Sequence, residues 1–414
     1  MRTPLALLVS FLAAASAAPA AAQATWTVDA SGSGHFVSLA EAVASADVFD
    51  GDTLLVEPGS YGSFVTGKAL SIIGRAGGPR PQVGDESRIE GAAFATLAGL
   101  VLEELLCSQI PGRLAIEGCD IGHLGISTIG ITPDTFLVED CAEVVVSNGV
   151  LRGKTGDPNH VESPGVNVQG SRVALVHCTI TGGKGGDGDF LGFPGQPGVA
   201  IEDASLVVVA GCTISGGDGG VGEFTVCQAQ AGSGIQIFDS TLWVFGDAND
   251  VIDGGHHCPQ GEAFAIGGLD SQVTVSGVTL IEPAIGAGLA FSGTVAQPDP
   301  AQPFLFVGGD PTPGSVRRLN VHGPDGATAL VFFSLQPLFA TPAKLSSGPL
   351  WMDPGSALLV VPLLLGGQEL AVTLNLPLPR APALAGLTAW VQGFVPEAGG
   401  QYLATNPASI VLRF

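Results

Sequence analysis

The feature that most constrains this chain is a repeat. Val173 to Gly186 reads VALVHCTITGGKGG, and Val207 to Gly220 reads VVVAGCTISGGDGG. The two Cys-Thr-Ile-x-Gly-Gly cores begin at Cys178 and Cys212, 34 residues apart. A weaker copy runs from Val144 to Lys154 and a later one from Leu242 to Gly255. Between copies lie Gly165-Val-Asn-Val168, Gly198-Val-Ala-Ile201 and Gly234-Ile-Gln-Ile237, each a glycine followed by an alternating strand. A unit of two or three short strands cannot bury an apolar face alone, so such units must stack, coil upon coil, to make one continuous core. Earlier coils are shorter: Ile116-Glu-Gly-Cys119 recurs as Val138-Glu-Asp-Cys141, 22 residues on. The shorter period suits a bare coil, and the longer one a coil carrying a glycine-rich insertion.

Composition agrees. The chain has 414 residues, of which 61 are Gly and 29 Pro, and only 13% are charged. Sparse charge with 46% hydrophobic residues argues against disorder, and glycine this frequent argues against helical bundles. The predicted fold is all-β: a right-handed parallel β-helix followed by a small antiparallel β-sandwich. A formal net charge of −23 repels nucleic acid and anionic membranes and favours cations such as Ca²⁺.

The N-terminus reads as a secretory leader. Arg2 precedes an uncharged apolar run from Leu5 to Ala18, and Ala20-Ala-Ala22 offers a cleavage site near Ala22 or Ala24. The run is too short to span a bilayer. Pro362 interrupts the other strongly apolar stretch, Val360 to Leu365, so no transmembrane segment is expected. The expected organisation is a signal peptide over 1–22, a β-helix over 23–293 and a sandwich over 294–414, placing the protein outside the cell or on its surface.

After the leader, Trp26 to Val28 reads as a strand and Ser38-Leu-Ala-Glu41 as a capping box opening a helix through about Ala46. Strands follow at Thr53 to Val56 and Lys68 to Ile73. In order and spacing, Val28-Asp29, Gly32-Ser-Gly34-His-Phe36, Leu39-Ala-Glu-Ala42, Gly51-Asp-Thr53, Pro58-Gly59, Tyr61 and Leu70-Ser-Ile-Ile73-Gly74 resemble the N-terminal cap of pectin-lyase-like β-helices, pectin methylesterases among them. The resemblance implies a helix lying across an open first coil, shielding it from water and from edge pairing. It implies no activity. The Asp-bearing Phe-x-Phe-Gly and Arg-x-Trp segments of the esterases are absent, as are the Asn-Thr-Asp, Gly-His-Gly and Arg-Ile-Lys segments of polygalacturonases.

Composition shifts to Pro, Gln and Asp near Ser292 to Pro313, which marks a module boundary. Strand-like runs follow at 316–321, 329–335, 357–365, 369–376, 386–395 and 409–414, enough for a compact sandwich. The pairing of modules resembles exported bacterial β-helix proteins known mainly by their architecture.

Candidate chemistry is thin. Lys154, Lys184 and Asp218 take equivalent places in successive copies, three residues ahead of Asp157, Asp187 and Val221. In register they form a ladder along one edge. One reading is a sugar or Ca²⁺ groove using these residues and Asp189, with Lys184 as a lyase base. The favoured reading is a solvated ladder whose charges offset one another, because exposed ion pairs are common and energetically minor. Asp247, Asp250 and Asp253 read as a turn. Gly182 to Asp187 begins like a Ca²⁺-binding nonapeptide, but that motif needs a tandem nine-residue repeat. Adjacent His256 and His257 would point to opposite sides of a strand, so a shared metal is not expected. Of the seven cysteines, Cys227 and Cys258 lie in long loops of neighbouring copies and are the disulfide candidate, while Cys178 and Cys212 should stack as small apolar residues inside the coil. No Gly-x-Ser-x-Gly motif supports a serine nucleophile.

Two functional readings stand. The first is an exported scaffold or binding protein without catalysis, contacting polysaccharide or another cell-envelope component and needing no cofactor. The second is a Ca²⁺-dependent lyase acting on acidic polysaccharide.

Overall fold

A computed structural model of the chain describes residues 23–122, 134–156, 162–187, 192–221, 229–247, 249–255, 263–281, 291–296, 303–309, 312, 314–335, 359–366, 372–378, 384, 386–396 and 402–413. From Thr25–Val28 to Phe291–Ala296 its strands join one large parallel sheet that winds round itself, consistent with a β-helix. A typical coil has three strands. Val166–Gln169, Arg172–Val176 and Thr179–Thr181 pair in parallel with Val199–Glu202, Leu206–Ala210 and Thr213–Ser215 of the next coil.

Alternation decides which side chains face in. Val166, Val199, Ile235 and Ile266 stack directly on one another, as do Ile180, Ile214 and Ile252. All are buried in one apolar core running from Val28 to Val275. At the corners the chain takes positive φ, at Asp140, Gly170, Asp239 and Asp270 after the first strand and at Gly118, Asn148, His177 and Gly211 after the second. The residue after each corner turns inward. Ser171, Ser205, Ser240 and Ser271 form a hydroxyl ladder, each accepting from the backbone amide of the coil before. Cys178 and Cys212 do the same at the other corner: the Cys178 amide donates to Cys212 Sγ at 3.3 Å. The repeated Cys-Thr-Ile is thus one corner, one outward residue and one core residue, and the two cysteines stack as expected.

Near the N-terminus a helix spans Leu39–Ala44, with Leu39, Ala42 and Val43 buried in the same core. Ser38 Oγ accepts from the Glu41 amide at 3.1 Å, as the capping box requires. The reciprocal bond goes one residue further back, from the Val37 amide to Glu41 at 3.4 Å. The helix ends two residues short of the expected Ala46, which is exposed.

The C-terminal part contains two antiparallel sheets. One holds Phe304–Gly308, Val316–His322 and Val372–Pro377; the other holds Thr328–Ser334, Leu359–Leu364, Thr388–Pro396 and Tyr402–Val411. Leu305, Leu319 and Val321 of the first meet Val331, Val391 and Ile410 of the second in a common core. Phe304–Gly308 lies in the stretch read from sequence as boundary, and the last strand begins at Tyr402 rather than Ser409. The start of the last strand escapes the sequence reading because that strand is buried on both faces between the sandwich and the rod, with Thr405, Asn406 and Ser409 among its buried residues, so no alternation marks it.

These sheets pack against the outside of the rod. Thr96, Ala115, Val145, Ala174, Val208 and Trp243 form one outward ladder on the middle strands of successive coils. Ala115, Val145, Ala174, Val208 and Phe245 share an apolar cluster with Phe304 and Trp390. Arg113 stacks on the Trp390 ring at 4.2 Å and is paired with buried Glu143. Glu117 joins the two parts most directly. One oxygen accepts from Arg317, the other from the Val411 amide, and both ion-paired side chains are 2% exposed.

Candidate functional site

The glycine-rich edge, where sequence placed the candidate groove, begins where the third strand of each coil ends. Thr179–Thr181 pairs with Thr213–Ser215, so Thr179, Thr181 and Thr213 point outward while Ile180 and Ile214 point inward. Beyond the strands the coils remain in register. The Gly156 amide donates to the Lys184 carbonyl at 2.8 Å, and the Gly185 amide to the Asp218 carbonyl at 2.8 Å. Lys184 therefore sits beside Asp218, and both are exposed.

Lys154 does not join them. The same bonds align Thr155 with Lys184, so Lys154 is one place out of step. The reason is a missing glycine: Leu151 is followed by Arg-Gly-Lys, whereas its partner Ile180 is followed by Thr-Gly-Gly-Lys. Thr155 therefore takes the exposed place beside Lys184, and Lys154 falls on a buried one, where its ammonium meets Glu104 Oε1 at 2.6 Å. The three-membered ladder expected from sequence is thus Thr155, Lys184 and Asp218.

Asp187 is exposed at the end of its loop, and its Oδ1 accepts from the Val221 amide of the next coil at 2.8 Å. It is engaged in holding backbone. Asp157, Asp189, His256, His257, Cys227 and Cys258 lie outside the described residues. The turn forms at two of the three aspartates read there: Asp250 accepts from the Asp247 amide and Asp247 from the Asn249 amide, whereas Asp253 ends the strand Val251–Asp253.

A second polar group lies inside the same corner and was not found from sequence. Burial raises the Asp134 pKa, against a hydrogen bond from Asn167 Nδ2 at 3.2 Å and the charge of Lys154. The buried hydroxyls of Thr135 and Ser163 bond each other at 2.7 Å, and buried Glu162 accepts from the Gly186 amide. These groups come from successive coils, with no shared motif to mark them. Their bonds run to one another and to backbone, which suits a structural corner. Among the described residues no group of three or more His, Cys, Asp or Glu side chains is placed to hold a metal ion, and no helix is long and apolar enough to cross a membrane.

No protein-family profile matches the chain, and neither does any curated protein. Among solved structures, a pectin methylesterase in complex with a hexasaccharide is similar over 67% of this chain and 90% of that one, at 10% identity and a TM-score of 0.28. A Geobacillus virus E2 protein, ORF18, is similar over 80% of this chain and 71% of that one, at 9% identity and a TM-score of 0.19. Likenesses this distant carry no argument about function, and the fold described above rests on the strand pairing itself.

Proposed function

We propose that this chain is an exported or cell-surface β-helix scaffold that binds an extended carbohydrate along the outer face of its third strands. One observation carries the reading. The C-terminal sheets cover the middle strands, whereas the third strands present Arg152, Thr179, Thr181 and Thr213 to solvent in consecutive coils. Stacked coils repeat about every 4.8 Å. Short hydroxyl side chains at that spacing suit a linear polymer rich in hydroxyl groups and lose little entropy on binding it.

The reading includes export through the leader at 1–22 and a right-handed coil capped by the helix at 39–44. The C-terminal sandwich braces the rod on this view. The lyase reading lacks support from Lys154, whose ammonium is held by Glu104 inside the corner. Calcium remains part of the lyase proposal alone.

The test is sedimentation of the purified protein with a panel of insoluble polysaccharides, neutral and acidic, with and without Ca²⁺. Binding that is lost in Thr181→Tyr and Thr213→Tyr, which block the face without touching the core, supports the proposal. Absence of binding across the panel refutes it. Ultraviolet absorbance of unsaturated product on uronate polymers would favour the lyase instead.

A further inference from the structure

We infer that the glycine-rich segments are not loops but a packed slab of polyglycine-II-type chains, and that along 182–187 and 216–221 this slab opens every third residue to a partner. The hydrogen bonding shows a period of three. Gly182 and Gly185 donate to Ser215 and Asp218 of the next coil. Phe193 and Gln196 donate to Gly186 and Gly183, running the opposite way. Gly217 and Gly220 donate to Gln196 and Phe193, and Gly195 and Gly198 to Gln230 and Ser233. In each case donors three apart meet acceptors three apart. A β-ladder would repeat every two residues. A three-residue repeat bonded only to neighbouring chains is the signature of the extended polyproline-II geometry, which forms no bonds within itself.

Glycine is required here for space rather than for torsion. The positive-φ glycines lie at corners and turns elsewhere, and none of Gly182, Gly183, Gly185, Gly195, Gly217, Gly220 or Gly232 is among them. Yet a Cβ at Gly183 would come within 1.8 Å of the Lys154 carbonyl, and one at Gly217 within 2.0 Å of the Gly183 carbonyl. At Gly185, Gly195 and Gly232 the nearest carbonyl would be 1.9 to 2.0 Å away. These are backbone atoms that cannot swing aside. The logic is that of the collagen axis, where only glycine fits between close chains.

The third positions escape this crowding. Lys184 and Asp187 on one chain, Asp218 and Val221 on the next and Thr155 before them are exposed. Side chains there are held at fixed spacing by a rigid backbone, continuous with the threonine face. As recognition positions they rest on the carbohydrate reading above; the packing does not.

Hydrogen exchange followed by mass spectrometry tests the slab in the intact protein. Peptides covering 182–187, 192–198 and 216–220 should exchange at least about a hundredfold more slowly than unstructured chain. Gly183→Ala and Gly217→Ala should lose that protection and lower the melting temperature. Gly62→Ala, where nothing lies within 4 Å of the new Cβ, should match the parent. Exchange at the unstructured rate in the parent protein overturns the inference, even if the variants fail to fold. So does retained protection in both variants. Polysaccharide binding is scored separately: its absence alongside full protection removes the carbohydrate reading and leaves the slab standing.

Discussion

Replacing Arg317 by alanine should loosen the C-terminal sheets from the rod. Arg317 and Glu117 are each 2% exposed, and the second Glu117 oxygen accepts from the Val411 amide. Removing the guanidinium leaves a carboxylate buried with that one amide and the nearby charge of Arg413. Breaking a buried pair from one side costs about 3–5 kcal/mol, mostly the cost of the stranded charge. Replacing both partners by apolar residues should cost less, about 1–3 kcal/mol, since desolvation of the two ions is then avoided and only the Val411 amide loses its acceptor. Urea unfolding of the parent, Arg317→Ala and the double variant Glu117→Leu with Arg317→Met would measure all three. The single variant should lower the unfolding midpoint strongly, and the double should recover part of the loss. A single-variant cost below about 1 kcal/mol, the size expected of an exposed pair, would refute the reasoning.

Three further outcomes follow from the same structure. Although burial pushes the Asp52 carboxyl up, the Phe49 amide, the Trp26 indole and the Ala24 amide outweigh it and hold its pKa below the ordinary value. Its stabilisation is therefore present above about pH 4 and lost as pH falls through the lower folded value; an indole resonance of Trp26 unchanged to about pH 2 would contradict this. Burial pushes the Cys119 and Cys141 thiols up to about 11, and Cys107, Cys178 and Cys212 are also buried and free, so native protein should leave all five unalkylated at pH 8 until denatured. Finally, a chain ending at Ala296 exposes Ala115, Val145, Ala174, Val208 and Phe245 together, so it should bind a hydrophobic dye and self-associate, whereas monodisperse behaviour would show that face to be tolerable in water.

Several elements were legible because the interactions that form them are local or periodic. The Ser38 capping box needs only its own turn, and Leu39, Ala42 and Val43 fall on one face at helical spacing. The stack of Cys178 on Cys212 follows from a repeat whose members differ little. The candidate ladder failed at Lys154 for a reason equally physical. One missing glycine moves the lysine one place back along an unchanged register, from the exposed position that Thr155 takes to a buried one.

The sequence by itself determined that the chain coils and that Cys178 stacks on Cys212, because both depend on a pattern repeated from coil to coil. Tertiary structure alone decided what lies outside. The runs Val144-Val-Val146, Val173-Ala-Leu-Val176 and Val207-Val-Val-Ala210 are buried on both sides, and their inner residues meet the rod while Val145, Ala174 and Val208 meet the C-terminal sheets. A strand covered on both faces reads as a continuous apolar run whatever covers it. The partner is chosen by contacts between residues far apart in the chain, such as Glu117 with Arg317 and Val411.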